Sequence, residues 1–308
     1  MKQLIQNSFN NILEHCTLCP RNCGVNRLQG QTGYCGQTAA LFAARASLHM
    51  WEEPCISGTE GSGTVFFSGC PLRCVYCQNH HIALGKTGKE ISPSRLAEIF
   101  MELQEKGANN INLVTPTHFI PQIISALQTA KNNGMKLPIV YNTSGYEKPE
   151  TLQLLEGLID IYLPDLKYYS SDLGKHFSNA PDYFSVSTEA LKEMYRQVGE
   201  PVFDAHTGLL KRGMIVRHLV LPGQISDSKN VIRYLHETYG NQIYISIMNQ
   251  YTPVTHHPDF PELNRTLTDK EYDDVVDYAI SIGVENGFIQ EGETFSESFI
   301  PSFDCEGI

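Results

Sequence analysis

The sequence predicts an α/β fold, a partial (β/α)6 barrel of the TIM type that is preceded by a small cysteine-rich segment. From Thr64 onward, apolar strand-like runs alternate with helical patterns, which is typical of a parallel sheet with helices outside it. About six such units follow one another, fewer than a complete barrel has. Before Thr64, cysteines, glycines and turn residues leave little room for an independent apolar core. We therefore expect residues 1–59 to form the cysteine-rich segment and residues 60–308 to form the barrel with a C-terminal extension.

The barrel units follow in order along the chain. The first strand, TVFFSG, precedes the helical run SPSRLAEIFMELQEKG and the second strand, NINLVT. The next segments are PQIISALQTAKNNG, LPIVYNT, PETLQLLEGL and IDIYLPDLK, which alternate between helix and strand. The last are EALKEMYRQVGE, GMIVRHLVLPG, NVIRYLHETYG, IYISIMNQY and KEYDDVVDYAISIG. In such a barrel, chemistry belongs at the carboxyl ends of the strands, where the loops gather.

Local signals mark the ends of several helices. Ser92 and Pro93 form a cap and first-turn pair, and Thr268 with Glu271 makes a capping box before a later helix. Glycines stand where three of the helices should stop, at Gly107, Gly134 and Gly240. These signals support the helical half of the alternation.

The charge of the chain argues against polyanionic partners. There are 23 Lys and Arg residues against 34 Asp and Glu, and the formal charge is -11, so we expect neither nucleic acid nor an anionic membrane surface as a partner. No apolar run approaches the roughly 20 residues needed to cross a bilayer, and the N-terminus lacks the apolar stretch and cleavage site of a signal peptide. We expect a soluble, cytoplasmic protein.

Seven of the nine cysteines fall into two groups with metal-type spacings, which in a reducing compartment favours metal ligation over disulfides. The N-terminal group consists of Cys16, Cys19, Cys23 and Cys35. Four thiolates close a coordination shell, which fits structural zinc or a fully ligated second Fe–S cluster equally. Free thiols grouped by chance are the alternative, but the segment has too few large apolar residues to order itself without a metal.

The second group, Cys70, Cys74 and Cys77, directly follows the first barrel strand, so three thiolates can converge from one loop. Three thiolates would ligate three irons of a [4Fe–4S] cluster and leave one iron open to the amino and carboxylate groups of S-adenosylmethionine (SAM). Electron transfer into the sulfonium would then give a 5′-deoxyadenosyl radical. Two alternatives stay open: a zinc site completed by His80 or His81, and cysteines without a metal.

Several motifs together resemble a known group of proteins. C-x3-C-x-aromatic-C after the first strand is the signature of the radical SAM superfamily. The runs CTLCPRNCGVNR, GYCG, EEPCISG, GSGTVFFSGCPLRCVYCQN, NLVTPTHF, VRHLVLPG and MNQYTP resemble the PflX-type relatives of pyruvate formate-lyase activating enzymes over almost the whole chain. The resemblance implies a radical SAM core barrel, [4Fe–4S] and SAM as cofactors, an electron donor such as flavodoxin or ferredoxin, and activation of a glycyl radical enzyme.

The resemblance also implies contacts with SAM at the strand ends. Tyr76, between the last two cysteines, suits contact with adenine, and an ordinary loop aromatic is the alternative. Asp165 and Lys167 resemble the Asp-x-Lys element that activating enzymes present to SAM, with a surface ion pair as the alternative. The place of an Asp/Asn-Thr-Asn-Gly stretch near SAM or a monovalent cation is occupied by Asn142, Thr143 and Ser144.

The remaining candidates depart from the pattern of activating enzymes. Thr115, Thr117 and His118 stand where those enzymes have a Gly-Gly-Glu-type turn, and they offer hydroxyls and an imidazole to the amino group of SAM. For His118 the alternative is a histidine satisfied by backbone hydrogen bonds. Arg217 is a candidate for the SAM carboxylate or the substrate, and its neighbour His218 should then point away because strand neighbours alternate.

Three functions follow from these residues. The first is a radical SAM enzyme with a protein or peptide glycine as its substrate. The second keeps the radical chemistry and directs it at a small molecule or a different protein modification, consistent with the altered Thr-Pro-Thr-His turn. The third is a non-catalytic Fe–S or zinc protein that transfers electrons or scaffolds a partner.

Overall fold

A computed structural model describes residues 9–290 and 301–308. In the N-terminal region, residues 9–14 are helical and a 3-10 helix covers Arg27–Gln29. Strand β1 (Leu41–His49) and the short helix α1 (Pro54–Ser57) follow. β1 was not predicted, and it lies within the segment assigned to the cysteine-rich region.

The barrel begins with β2 (Ser62–Phe67), which is followed by α2 (His80–Ala83), β3 (Lys89–Ile91) and α3 (Pro93–Glu105). Next come β4 (Ile111–Val114), α4 (Ile120–Asn132), β5 (Ile139–Thr143), α5 (Pro149–Gln153), β6 (Ile161–Pro164), α6 (Ser171–Ser178) and α7 (Tyr183–Val198). The last elements are β7 (Val202–Phe203), β8 (Leu210–Leu219), α8 (Ile225–Tyr239), β9 (Tyr244–Met248), α9 (Asp269–Ser281) and β10 (Gly287–Ile289). Across the described ranges, none of these helices combines the length and the apolar character needed to cross a bilayer.

The strands form one sheet in the order β10-β9-β8-β6-β5-β4-β2-β1-β3, and β7 pairs with β8 beside this path. The pairs from β2 through β4, β5, β6, β8 and β9 to β10 are all parallel. β1 is antiparallel to both β2 and β3. Because the order ends at two different edge strands, the sheet is not closed, and the predicted partial barrel is confirmed.

The core lies between the sheet and its outer helices. β2 and β5 are buried at every position, as expected for parallel strands that are covered on both faces. On α3, the buried residues Leu96, Ile99, Phe100 and Leu103 recur every three or four positions and form one apolar face. Burying each large side chain of this kind stabilises the fold by about 1.5–3 kcal/mol.

The helix starts predicted from Ser92 and Thr268 are confirmed, because both side chains accept hydrogen bonds from backbone N–H groups of the first helical turn. Ser92 Oγ accepts a hydrogen bond from the Arg95 N–H at 3.0 Å, and Thr268 and Glu271 form the reciprocal capping box at the start of α9. Glycines with positive φ follow α3, α4 and α8: these are Gly107, Gly134 and Gly240. The predicted N-terminal caps and the predicted C-terminal glycines of these helices are therefore confirmed.

Residues 301–308 run along β1 and cover part of the edge that β3 leaves free. The Cys305 N–H donates to the Ala44 carbonyl at 3.0 Å, and the Ala46 N–H donates to the Glu306 carbonyl at 2.8 Å. Arg45, between those two β1 residues, pairs with Asp304 at 3.1 Å. The C-terminal tail is thus attached to the same strand that joins the N-terminal region to the barrel.

Candidate active site

The loop after β2 brings three cysteines to one cavity of about 670 Å³. Cys70, Cys74 and Cys77 all line it. The Leu72 N–H donates to the Cys70 sulfur at 3.3 Å, and the Ser178 hydroxyl donates to the Cys74 sulfur at 3.1 Å. Burial raises the pKa of the Cys70 thiol to about 11 and that of Cys77 to about 12, so a positive centre is needed to hold them as thiolates.

Tyr76 lines the cavity and also belongs to an aromatic cluster. Its ring meets Tyr168, Phe177 and Tyr251 edge-on, with centroid separations of 6.1–6.4 Å. Its hydroxyl accepts a hydrogen bond from the Tyr168 hydroxyl at 2.7 Å. These contacts fix the ring beside Cys77, and the predicted contact with adenine stays a prediction.

A charged group forms the cavity wall where β6 and β8 meet. Asp165 pairs with Lys167 at 2.5 Å and with Arg217 at 3.0 Å, and all three side chains are only 14–15% exposed. Arg217 also donates to Asn142 at 2.7 Å. Burial alone would raise the pKa of Asp165, but Lys167 and Arg217 outweigh burial and hold that pKa below its usual range. The pair faces the cavity and is not an exposed surface pair.

The ends of β4 and β5 supply polar groups to the same wall. Thr115, Asn142, Thr143 and Ser144 line the cavity. Thr115 has a φ of 57°, a left-handed conformation that is uncommon for a β-branched residue, and its N–H donates to the Asn142 carbonyl at 2.9 Å. The strand-end geometry therefore brings these candidates together with the cysteines and the charged group.

Thr117 and His118 do not line this cavity, because the 3-10 helix Thr117–Phe119 turns the chain away from it. The Thr117 hydroxyl donates to the buried carboxylate of Glu147 at 2.6 Å. The His118 ring is 1% exposed, and its Nε2 lies 2.6 Å from the Ser68 carbonyl. The structure thus keeps both residues off the cavity wall. Thr117 shares the Glu147 carboxylate with Thr143, and His118 makes the backbone contact of the alternative interpretation.

Comparison with known proteins identifies the family. The model of the radical SAM superfamily matches residues 64–247, more than half of the chain, and this match spans β2 to β9 and the three cysteines. The chain belongs to the radical SAM superfamily. Members of this superfamily are enzymes, and membership implies a [4Fe–4S] cluster and SAM as cofactors.

The proteins to which this chain is similar are distant from it in sequence. SuiB of Streptococcus suis, solved with S-adenosylmethionine, has a TM-score of 0.51 and 13% identity, over 73% of this chain and 49% of SuiB. A radical SAM methyltransferase from Sphaerobacter thermophilus has a TM-score of 0.50 and 15% identity, over 75% of this chain and 67% of that enzyme. An uncharacterized protein of Methanocaldococcus jannaschii is 27% identical over 279 residues, 87% of this chain and 75% of that protein. The chain spans about half the length of SuiB, and the two structural likenesses concern the fold.

The residues present fit the radical SAM cofactors. Three thiol ligands on one loop leave one iron of a [4Fe–4S] cluster without a protein ligand, and hydrogen bonds to two of the sulfurs favour the thiolate form. SAM carries an ammonium and a carboxylate, and the Asp165–Lys167 pair presents both complementary charges in the same cavity. The donor set and the charges are thus those that the two cofactors require.

Two carboxylates that were not predicted from the sequence, Glu52 and Glu53, also line the radical SAM cavity. They lie after β1, in the segment expected to belong to the cysteine-rich region. Glu52 accepts hydrogen bonds from Asn112 at 2.8 Å and from Arg217 at 3.2 Å. In the run EEPCISG, two adjacent acidic residues before a proline are a visible feature of the sequence. Nothing in this run indicates which strands the two side chains would contact.

The N-terminal cysteines lie close to the radical SAM loop. Cys19 and Cys35 are buried, Cys16 is half-buried and Cys23 is exposed, and all four are free thiols. Over the described ranges, no three or more His, Cys, Asp or Glu side chains are gathered closely enough to hold a single metal ion, and this is true of both cysteine groups. The segment is held against the barrel by Arg21, which donates to the Pro71 carbonyl at 2.8 Å and to the Ser178 carbonyl at 2.8 Å.

Proposed function

We propose that this chain reductively cleaves SAM at a [4Fe–4S] cluster held by Cys70, Cys74 and Cys77. The observation that carries the proposal is that these cysteines and the Asp165–Lys167 pair face one cavity. When bound there, the cluster and SAM would supply radical chemistry for the removal of a hydrogen atom from a substrate. The nine free thiols suit a cytoplasmic location, and an electron donor such as flavodoxin or ferredoxin would reduce the cluster.

The chain's own residues would bind and orient SAM. We assign Lys167 to its carboxylate and Asp165 to its ammonium group, because charge-assisted hydrogen bonds are the strong ones in a partly buried site. Tyr76 would contact the adenine, and Arg217 would fix Asp165 and Asn142. Further polar contacts are proposed for Thr115, Asn142, Thr143 and Ser144, while Thr117 and His118 would support this wall from behind.

Electron paramagnetic resonance of the reduced, anaerobically reconstituted protein tests this proposal. Binding of SAM to an open iron should change the signal of the reduced cluster, and the Cys74→Ala variant should lose both the signal and the response. Cys305→Ala is a matched control, because Cys305 lies in the C-terminal tail outside the cavity wall. An unaltered signal on addition of saturating SAM would contradict the proposal.

For the substrate, we propose that this chain activates a glycyl radical enzyme. The resemblance to PflX-type proteins supports this proposal. A second candidate, radical modification of a different protein or a small molecule, is favoured by the Thr-Pro-Thr-His turn and by the strained Thr115 at its start. Deuterium transfer into 5′-deoxyadenosine separates the two. A glycyl radical protein labelled with deuterium at glycine should pass its label under the first proposal, and it should not under the second.

We also propose that Cys16, Cys19, Cys23 and Cys35 hold zinc or a second Fe–S cluster. Arg27 supports this proposal because its guanidinium is 1% exposed and no carboxylate of the described chain forms an ion pair with it. It donates to the His118 carbonyl at 2.6 Å and lies 3.9 Å from the Cys16 sulfur. Four metal-bound thiolates would supply the negative charge that this buried cation lacks.

Metal analysis isolates this second site. A variant with Cys70, Cys74 and Cys77 all replaced by Ala should retain zinc, or iron with sulfide, and the element found identifies the site. Adding Cys19→Ala to that variant should remove the metal. A triple variant that folds normally without metal would contradict the proposal.

A further inference from the structure

The cavity extends from the cysteine loop towards the opposite end of the barrel. His49, the last residue of β1, pairs with Ser62, the first residue of β2, whereas Cys70 follows the other end of β2. Six strand residues at about 3.3 Å each separate these ends by roughly 20 Å. Residues 50–57 therefore lie at the amino ends of the parallel strands, where the Asn110 side chain donates to the Ile56 carbonyl at 2.8 Å.

One of the three carboxylates that line the cavity, that of Glu53, has no ion-pair partner among the described residues. Lys167 and Arg217 pair with Asp165, and Arg217 also pairs with Glu52. Glu53 lines the same cavity, is 8% exposed, and makes no ion pair within the described part of the chain. Its Oε2 atom is buried without a hydrogen-bond partner. A carboxylate oxygen in this situation costs free energy unless a ligand satisfies it.

We propose that Glu53, which enters the cavity from the segment at the amino ends of the strands, binds a primary ammonium group of the substrate. An ammonium group has three N–H donors and a positive charge, so it would satisfy the buried oxygen and balance the surplus charge. Trp51, Met50 and Phe288 line the same cavity and provide apolar surface for the hydrocarbon part of an alkylamine. This inference rests on the proposed function, because it names the substrate class of the same site.

The environment of Glu53 disfavours its charged form while no cation is bound. Burial raises the pKa of Glu53, and together with the neighbouring Glu52 it outweighs Arg217 and the hydrogen bond from Ser246, so the pKa lies above its usual range. A bound ammonium group would add the opposite charge that burial demands. The competing possibility is a neutral Glu53 that donates to a substrate carbonyl, and it predicts the opposite ligand preference.

Binding of two small probes distinguishes these possibilities. The reconstituted protein with SAM is equilibrated by dialysis against radiolabelled n-butylammonium, and separately against n-butyramide, a neutral amide of similar size. The inference predicts saturable binding of butylammonium at least about tenfold tighter than that of butyramide. Trp51 is the only tryptophan of the chain and lines the cavity, so its fluorescence should change over the same concentration range.

Variants locate the binding site. Glu53→Gln should weaken butylammonium binding about tenfold or more, whereas Glu193→Gln, a buried glutamate on the outer helix α7, should not. Equal or tighter binding of butyramide by the unaltered protein, or undiminished butylammonium binding by folded Glu53→Gln protein, would overturn the inference. SAM cleavage by the unaltered protein without any amine tests the proposed function separately, so the two failures are distinguishable.

Discussion

At the scale of single residues, Lys167 is the most direct test of how the cavity holds SAM. It lies just beyond β6, is paired with Asp165 and is largely buried. Lys167→Ala should weaken SAM binding by about tenfold or more, because a charge-assisted hydrogen bond contributes roughly 1.5–3 kcal/mol. Lys192→Ala is the control, since Lys192 forms an exposed ion pair on α7. An unchanged dissociation constant together with a lower melting temperature would show a structural role instead.

Glu147 predicts a dependence of stability on pH. Burial raises its pKa from 4.5 to about 7, despite hydrogen bonds from Thr117, Thr143 and Tyr141. Since the folded-state pKa is above the unfolded value, the folded protein binds more protons between these two pH values. The stability contributed by protonated Glu147 is therefore present below about pH 4.5 and is lost as pH rises through about 7.

Glu147→Gln should remove this dependence, because glutamine keeps the neutral form at every pH. Denaturant unfolding of both proteins at pH 5 and pH 8 measures it, and the variant should gain stability relative to the parent at the higher pH. Parallel stability curves would show that Glu147 is already ionised in the folded protein.

At the scale of elements, the junction between β2 and the cysteine loop depends on Gly69. Its φ is 87°, and a Cβ there would lie 2.6 Å from Gln37 and 2.7 Å from the Cys35 carbonyl oxygen. Gly69→Ala should therefore lower both the stability and the iron content. Gly107→Ala is a matched control, because Gly107 has a similar φ but no atom within 4 Å of the added carbon, so only backbone strain remains. Equal losses in the two variants would contradict this close contact.

The strand–helix alternation could be predicted because it depends on local patterns. The caps at Ser92 and Thr268 were predicted for the same reason, since their partners lie three residues away. β1 was missed because its pairing partner, β2, lies beyond an intervening turn and helix, and its own run LFAARASLH has no strict alternation. The separation of His118 from the cavity depends on a 3-10 helix and on the distant Arg27 and Ser68, which no local pattern indicates.

At the scale of the whole molecule, residues far apart in sequence form the two ends of one cavity. The carboxyl ends of the strands could be predicted to carry the cysteines and the charged group, because parallel strands bring those ends together. Glu52 and Glu53 could not, because they reach the cavity from outside the predicted barrel. Arg21 of the N-terminal segment bonds the cysteine loop and the C-terminal tail bonds β1, so segments outside the strand–helix alternation contact the elements that border the cavity.

Formation of 5′-deoxyadenosine from SAM shows directly whether this chain cleaves SAM at a cluster held by Cys70, Cys74 and Cys77. The anaerobically reconstituted protein is incubated with SAM and dithionite, and the product is quantified by chromatography and mass spectrometry. We predict 5′-deoxyadenosine and methionine in equal amounts from the unaltered protein and from Cys305→Ala, and none above background from Cys74→Ala. Cleavage that persists in Cys74→Ala, or its absence from unaltered protein that carries a full cluster, would contradict reductive cleavage of SAM at this site.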